Sequence, residues 1–113
     1  MNRLIPALLL CVACGTDLDA SNFPDEIAPI VCDKTEVCAL GYFESTWRDQ
    51  DDCIAEIAEE WRTIGTEMDA QGCVFDAEEA AACMDSFQEA DCEAWYEQSP
   101  DEDCADVWVC PET

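Results

Sequence analysis

A chain of 113 residues with 28 acids, four bases and no histidine is one small polyanion, net charge −24. That balance repels nucleic-acid phosphates and anionic headgroups. The missing imidazole removes the commonest general base and the commonest metal ligand. Ten cysteines in a chain that is 50% hydrophobic weigh against a disordered acidic tail. They point to one disulfide-stapled domain in an oxidising compartment.

The N-terminus reads as an address. Arg3 precedes an apolar run over 4–13. The run is about half the ~20 residues a membrane-spanning helix needs, and it fits the core of a signal peptide. It ends on Ala13-Cys14. This resembles the lipobox of bacterial lipoproteins, with Cys11 standing where that family usually has Leu. The resemblance implies cleavage after residue 13 and a diacylglyceryl group on Cys14. Gly15, not Asp, after that cysteine implies sorting to the outer membrane. The competing reading is ordinary secretory cleavage near Ala13, which leaves Cys14 an odd thiol. A chain beginning at Cys14 keeps three bases against all 28 acids, a net charge of −25. Eight cysteines then remain beside the acylated one, an even set. The expected organisation is a leader over 1–13, a lipidated cysteine and flexible tether over 14–24, and a disulfide-rich helical domain over 25–113.

The domain is expected to be all-α, a small stapled bundle of three to four helices. A first helix is predicted over 25–40, with a start a turn later, at Pro29, as the alternative, and with Gly41 at its C-terminal cap. Ile27, Val31 and Cys38 fall near one face. Residues 42–47 read as an aromatic connection folded over the bundle. Thr46 or Asp49 can cap the next helix. That helix is the strongest prediction: Ile54, Ile57, Ala58, Trp61, Ile64 and Met68 recur at helical spacing, with Glu56, Glu59, Glu60 and Glu67 opposite. Gly72 ends it. A third helix starts behind Asp76, with Glu79 completing a capping box and Ala80, Cys83, Met84 and Phe87 as the buried stripe. Cys92 follows its end. Ser99, Pro100 and Glu102 signal a fourth, short helix that carries Cys104, Val107 and Trp108 inward.

The eight cysteines of the domain are Cys32, Cys38, Cys53, Cys73, Cys83, Cys92, Cys104 and Cys110. All are expected to form disulfides. Cys32 and Cys38, six residues apart, point about 120° from each other around a helix and must find different partners. An up-down-up order favours Cys38–Cys53, Cys32–Cys83, Cys92–Cys104 and Cys73–Cys110. Cysteine zinc sites use close pairs two to four residues apart, and the domain has none, so no metal and no cofactor is expected. The redox-like spacing Cys11-x-x-Cys14 lies inside the leader.

No catalytic residue is expected: a Ser–His or Cys–His arrangement needs the histidine this chain lacks. The acid runs 49–52 and 101–103 attract cations. Counted from Asp49, however, the sixth position of a calcium loop is Ile54, where that loop needs Gly. Trp47, Tyr96 and Trp108 are candidates for an exposed aromatic patch, with core packing as the alternative. The whole pattern, including Phe75-Asp76-Ala77-Glu78 followed by Ala81, Cys83 and Cys92, resembles small cysteine-rich lipoproteins of predatory soil bacteria. That resemblance implies a fold and a compartment and brings no activity. The expected role is a non-enzymatic interaction or structural one at the envelope. Its expected partners are the membrane through the lipid and an envelope protein, without nucleic acid. Two alternatives stand: a cation- or ligand-binding module, and a secreted inhibitor or toxin-like scaffold.

Overall fold

In the computed structural model the described residues are 17–98 and 104–112. They form an all-α fold stapled by four disulfides, with one minor two-stranded sheet. The helices are α1 (Phe23–Cys38), α2 (Leu40–Thr46), α3 (Gln50–Ala70), α4 (Ala77–Glu89) and α5 (Cys92–Gln98). Strand β1 (Val74–Phe75) pairs antiparallel with β2 (Trp108–Val109).

α1 is the hub and packs against every other helix. Asp19 prepares its entry by accepting from the backbone N–H groups of Ser21 and Asn22 and from the Ser21 hydroxyl. These bonds hold the Asp19 carboxyl below its usual range, the Ser21 hydroxyl contributing most. Pro24 suits the first turn because the missing N–H would be unpaired there anyway. Pro29 lies inside the helix, contrary to the alternative start there, and is exposed. The carbonyl it leaves without a helical donor is that of Asp25, an exposed residue.

Two further expectations fail near the end of α1. The helix stops at Cys38, and Gly41 lies inside α2. The stretch 42–47, expected as a connection, is mostly helical. Ala39 alone makes the break, with ψ swung to 59°. α2 seats Phe43 and Trp47 against the Cys32–Cys53 bridge, forming one core cluster.

α3 begins as predicted at Asp49, whose carboxylate accepts from the Asp52 N–H. It ends at Gly72, where φ is +88°. There Gly72 N–H bonds to Asp69 O and Cys73 N–H to Met68 O, both at 3.0 Å. This reciprocal pair closes the helix and needs a left-handed residue. Asp76 caps α4 by accepting from Glu78 and Glu79 N–H. The other half of the predicted box is absent: the Asp76 N–H donates to Val107 O at 2.8 Å. One residue thus starts a helix and ties down the C-terminal tail.

The tail corrects another expectation. Ser99, Pro100 and Glu102 lie outside the described residues, but Trp108–Val109 is extended and hydrogen-bonded to β1, not helical. Val107 is buried and Trp108 partly so, as expected. Residues 92–98, for which the sequence signalled no element, form α5 behind the Asp91 carboxylate, which accepts from Ala94 N–H. The main core joins Phe23, Ile27, Ala80, Cys83, Phe87 and Val107.

Candidate functional site

All eight cysteines of the domain are paired, but only Cys73–Cys110 matches the expected connectivity. The observed bridges are Cys32–Cys53, Cys38–Cys92, Cys73–Cys110 and Cys83–Cys104. The cause is α2. Its seven residues carry the chain about 10 Å back along α1, close to the ~9 Å that separates Cys38 from Cys32. α3 therefore enters opposite Cys32, and Cys53 meets it there. Cys38 is left at the end of α1, where the unforeseen α5 delivers Cys92. The tail then crosses the buried face of α4, so Cys83 meets Cys104. Cys32 and Cys38 do find different partners, as their angle requires.

The most enclosed apolar feature not absorbed by the core is a groove of about 570 Å³. α3 supplies one wall through Trp61, Ile64 and Met68. α5 and the tail supply the other through Trp95, Val107 and Trp108, while Phe87 of α4 forms part of the floor. Every lining side chain but Glu60 is apolar or a half-cystine. The α3 stripe was expected to be buried, yet Ile64 is 40% exposed. α1 covers only part of that stripe, and among the described residues no helix covers the rest.

The tryptophans hold their places by edge-to-face packing. Phe23 meets Trp61 at 5.4 Å between centroids and 88°, and Phe75 meets Trp108 at 5.3 Å and 68°. Trp108 also lies over Gly65, where an added Cβ would sit 3.1 Å from its Cζ2. The absent side chain lets the indole settle on α3. Of the three aromatics flagged from sequence, Trp47 is buried, Tyr96 is 63% exposed and Trp108 lines the groove. Trp95, Ile64 and Met68 were not flagged as functional.

Trp95 also lines a second depression, bounded by Leu40, Tyr42 and Tyr96. Tyr96 is pinned beside it, its hydroxyl donating to the Cys38 carbonyl. The apolar surface therefore continues from the groove past α5 to the α1–α2 junction.

The electrostatics are one-sided. Three bases fall among the described residues, and each has acceptors. Lys34 donates to the Gln88 and Ala90 carbonyls at 3.2 and 2.6 Å, where it complements the negative end of α4. Arg62 pairs with Asp25 at 3.1 Å and Glu59 at 3.5 Å. Arg48 pairs with Asp52 at 3.4 Å. The Arg48 backbone N–H, and next its guanidinium, hold the Asp52 carboxyl below its usual range.

Among the described residues no three Cys, Asp or Glu side chains converge on a metal position. The acids 49–52 act at the start of α3, while 101–103 lie outside the described residues. Cys14 and the expected leader also lie outside them. No described helix is long and apolar enough to cross a membrane. Four disulfides fit an oxidising, extracytoplasmic location. No protein-family model matches the chain, and neither a curated protein nor a solved structure is found to be similar to it.

Proposed function

We propose that the chain is a lipid-anchored protein of the bacterial envelope whose stapled domain has a non-enzymatic interaction role. The lipid sits on Cys14, residues 1–13 are removed, and the short stretch between Cys14 and the Asp19 turn tethers the domain to the outer membrane. The expected tether over 14–24 is shorter than drawn from sequence, because Phe23 and Pro24 are buried in α1. The observation that carries the interaction role is the tryptophan-walled groove. A small monomeric domain gains nothing in stability by leaving Trp and Ile beside open apolar space, and such surfaces mark contact sites. The groove's volume also falls within the range of small-molecule sites, which keeps ligand binding as the second reading.

Two measurements test the proposal. Intact-mass spectrometry of protein purified from membranes should show a chain beginning at acylated Cys14, and Cys14→Ser should release it from the membrane. An unmodified Cys14 in a protein recovered from the medium would overturn the anchor and favour a secreted scaffold. A photo-crosslinker at position 64 should give a discrete adduct in cells. The same probe at Asp85, exposed on α4 and outside the groove, should not. Equal labelling from both positions would remove the groove as the contact site.

A further inference from the structure

We propose that the groove docks a cationic amphipathic helix, its apolar face on the tryptophans and its Lys or Arg side chains over the acids of α3. This rests on the reading of the groove as the contact surface and names the partner it fits.

Shape comes first. Ile57, Trp61, Ile64 and Met68 run along α3 and all line the groove. Their twelve residues, eleven helical rises, make a straight ridge of about 16 Å, some three helical turns. A ridge of that kind opposite a second wall is what an added helix packs into. The continuation through Trp95 toward Leu40, Tyr42 and Tyr96, which are 49%, 58% and 63% exposed, favours an elongated occupant over a compact ligand.

Charge selects among elongated occupants. Glu60 enters the groove, and exposed Glu56 and Glu67 share its flank of α3 at spacings of four and seven. Exposed Asp106 stands in the chain between Ala105 and Val107, which line the opposite wall. The three described bases are already engaged, so an acidic partner finds no free complement among them. A second copy brings another −24 and is repelled. A helix carrying positive charge beside its apolar stripe satisfies both surfaces at once.

The test uses the mature chain with its disulfides intact and three synthetic amphipathic peptides without Trp. The peptides share a Leu face and differ in having Lys, Gln or Glu on the other. Protein tryptophan emission reads binding. The Lys peptide should shift emission to the blue and saturate, about tenfold or more tighter than the Gln peptide, with the gap closing as salt rises. Glu60→Gln should weaken the Lys peptide and leave the Gln peptide unchanged. Ile64→Gln should weaken both about tenfold. Both positions are exposed, and circular dichroism checks that the variants fold. Equal affinity for Lys and Gln peptides, with both lost in Ile64→Gln, would overturn the cationic assignment and leave the groove as a contact site. Lys-peptide binding unmoved by Ile64→Gln would overturn the groove itself, leaving only diffuse attraction to a polyanion. An equal, Ile64-dependent response to a neutral single-chain detergent below its micellar concentration would assign the groove to a lipid tail instead.

Discussion

Gly65→Ala is expected to change the sign of its effect when Trp108 is removed. Gly65 sits in the interior of α3, where Ala is worth about 1 kcal/mol over Gly through backbone entropy. With that term alone the substitution would stabilise. The new Cβ, however, would lie 3.1 Å from Trp108 Cζ2, against the roughly 3.5–4.0 Å of an ordinary carbon contact. The indole must retreat by about half an ångström. Its freedom to do so is small, because β2 is paired to β1, Phe75 packs on the ring and Cys110 is bridged to Cys73. Overpacking of this kind costs about 1–3 kcal/mol. The net expectation for Gly65→Ala is a loss of about 1 kcal/mol in the native protein and a gain of about 1 kcal/mol in a Trp108→Ala background. The coupling is therefore about 2 kcal/mol, well outside the error of a double-mutant cycle. Guanidinium unfolding of the four proteins with disulfides intact, followed at 222 nm, measures it. If Gly65→Ala stabilises both backgrounds equally, the close seating of Trp108 on α3, and with it the groove's shape, is wrong.

Partial reduction with rising thiol, trapped by alkylation and read by mass, should open Cys38–Cys92 before Cys32–Cys53. Both sulfurs of the latter are fully buried, whereas Cys38 and Cys92 are half-exposed; the reverse order would contradict the packing around α2. Asp76→Ala should cost about 1–2 kcal/mol in thermal unfolding, because two helical N–H groups lose their acceptor. Glu79→Ala should cost clearly less, since Asp76 N–H donates to Val107 O, and equal losses would restore the full capping box. Acid should remove the local stability supplied by Asp19 and Asp52. Both carboxyls are held below 3.8 in the folded chain, so their contribution is complete above that pH. It disappears as pH falls through the lowered folded values. Carboxyl carbon shifts followed by NMR should show both midpoints under 3.8, and midpoints above it would refute the hydrogen-bonded geometry.

α3 was legible because a 21-residue helix repeats its apolar stripe often enough to fix its period, and Asp49 and Gly72 mark its ends with side-chain chemistry. The Asp76 cap was legible for the same local reason. α2 and α5 were not. Each has seven residues, two turns, too short for a period to emerge from Tyr42-Phe43 or Trp95-Tyr96. Missing α2 misplaced three of the four bridges, because connectivity depends on where α3 re-enters and not on the cysteine spacing itself. The strand at Trp108 was hidden for a different reason. Two residues carry no alternation, and their conformation is set by pairing with distant Val74 and Phe75. The groove was missed because a helical stripe of Ile57, Trp61, Ile64 and Met68 spells burial in sequence. Only tertiary packing tells how much of such a stripe finds a cover.

Charge and sulfur bear directly on how such a groove stays open. Three indoles beside open apolar space on a neutral domain would invite self-association. At −24 two copies repel before their grooves meet, across a screening length of about 8 Å at physiological salt. The same repulsion acts within the domain and pushes its walls apart. Each wall is tied back close to where it needs to be. Ile57 stands four residues from Cys53, Trp95 three from Cys92, Phe87 four from Cys83 and Trp108 two from Cys110. Cys32–Cys53 and Cys38–Cys92 tie α3 and α5 to α1, Cys83–Cys104 ties α4 to the tail, and Cys73–Cys110 ties the end of α3 to the tail, each about a turn from residues that line the groove. A core alone would be satisfied by collapse of those elements onto one another. Staples at these positions limit how far those elements can shift toward one another, which opposes closure of the groove in the absence of an occupant.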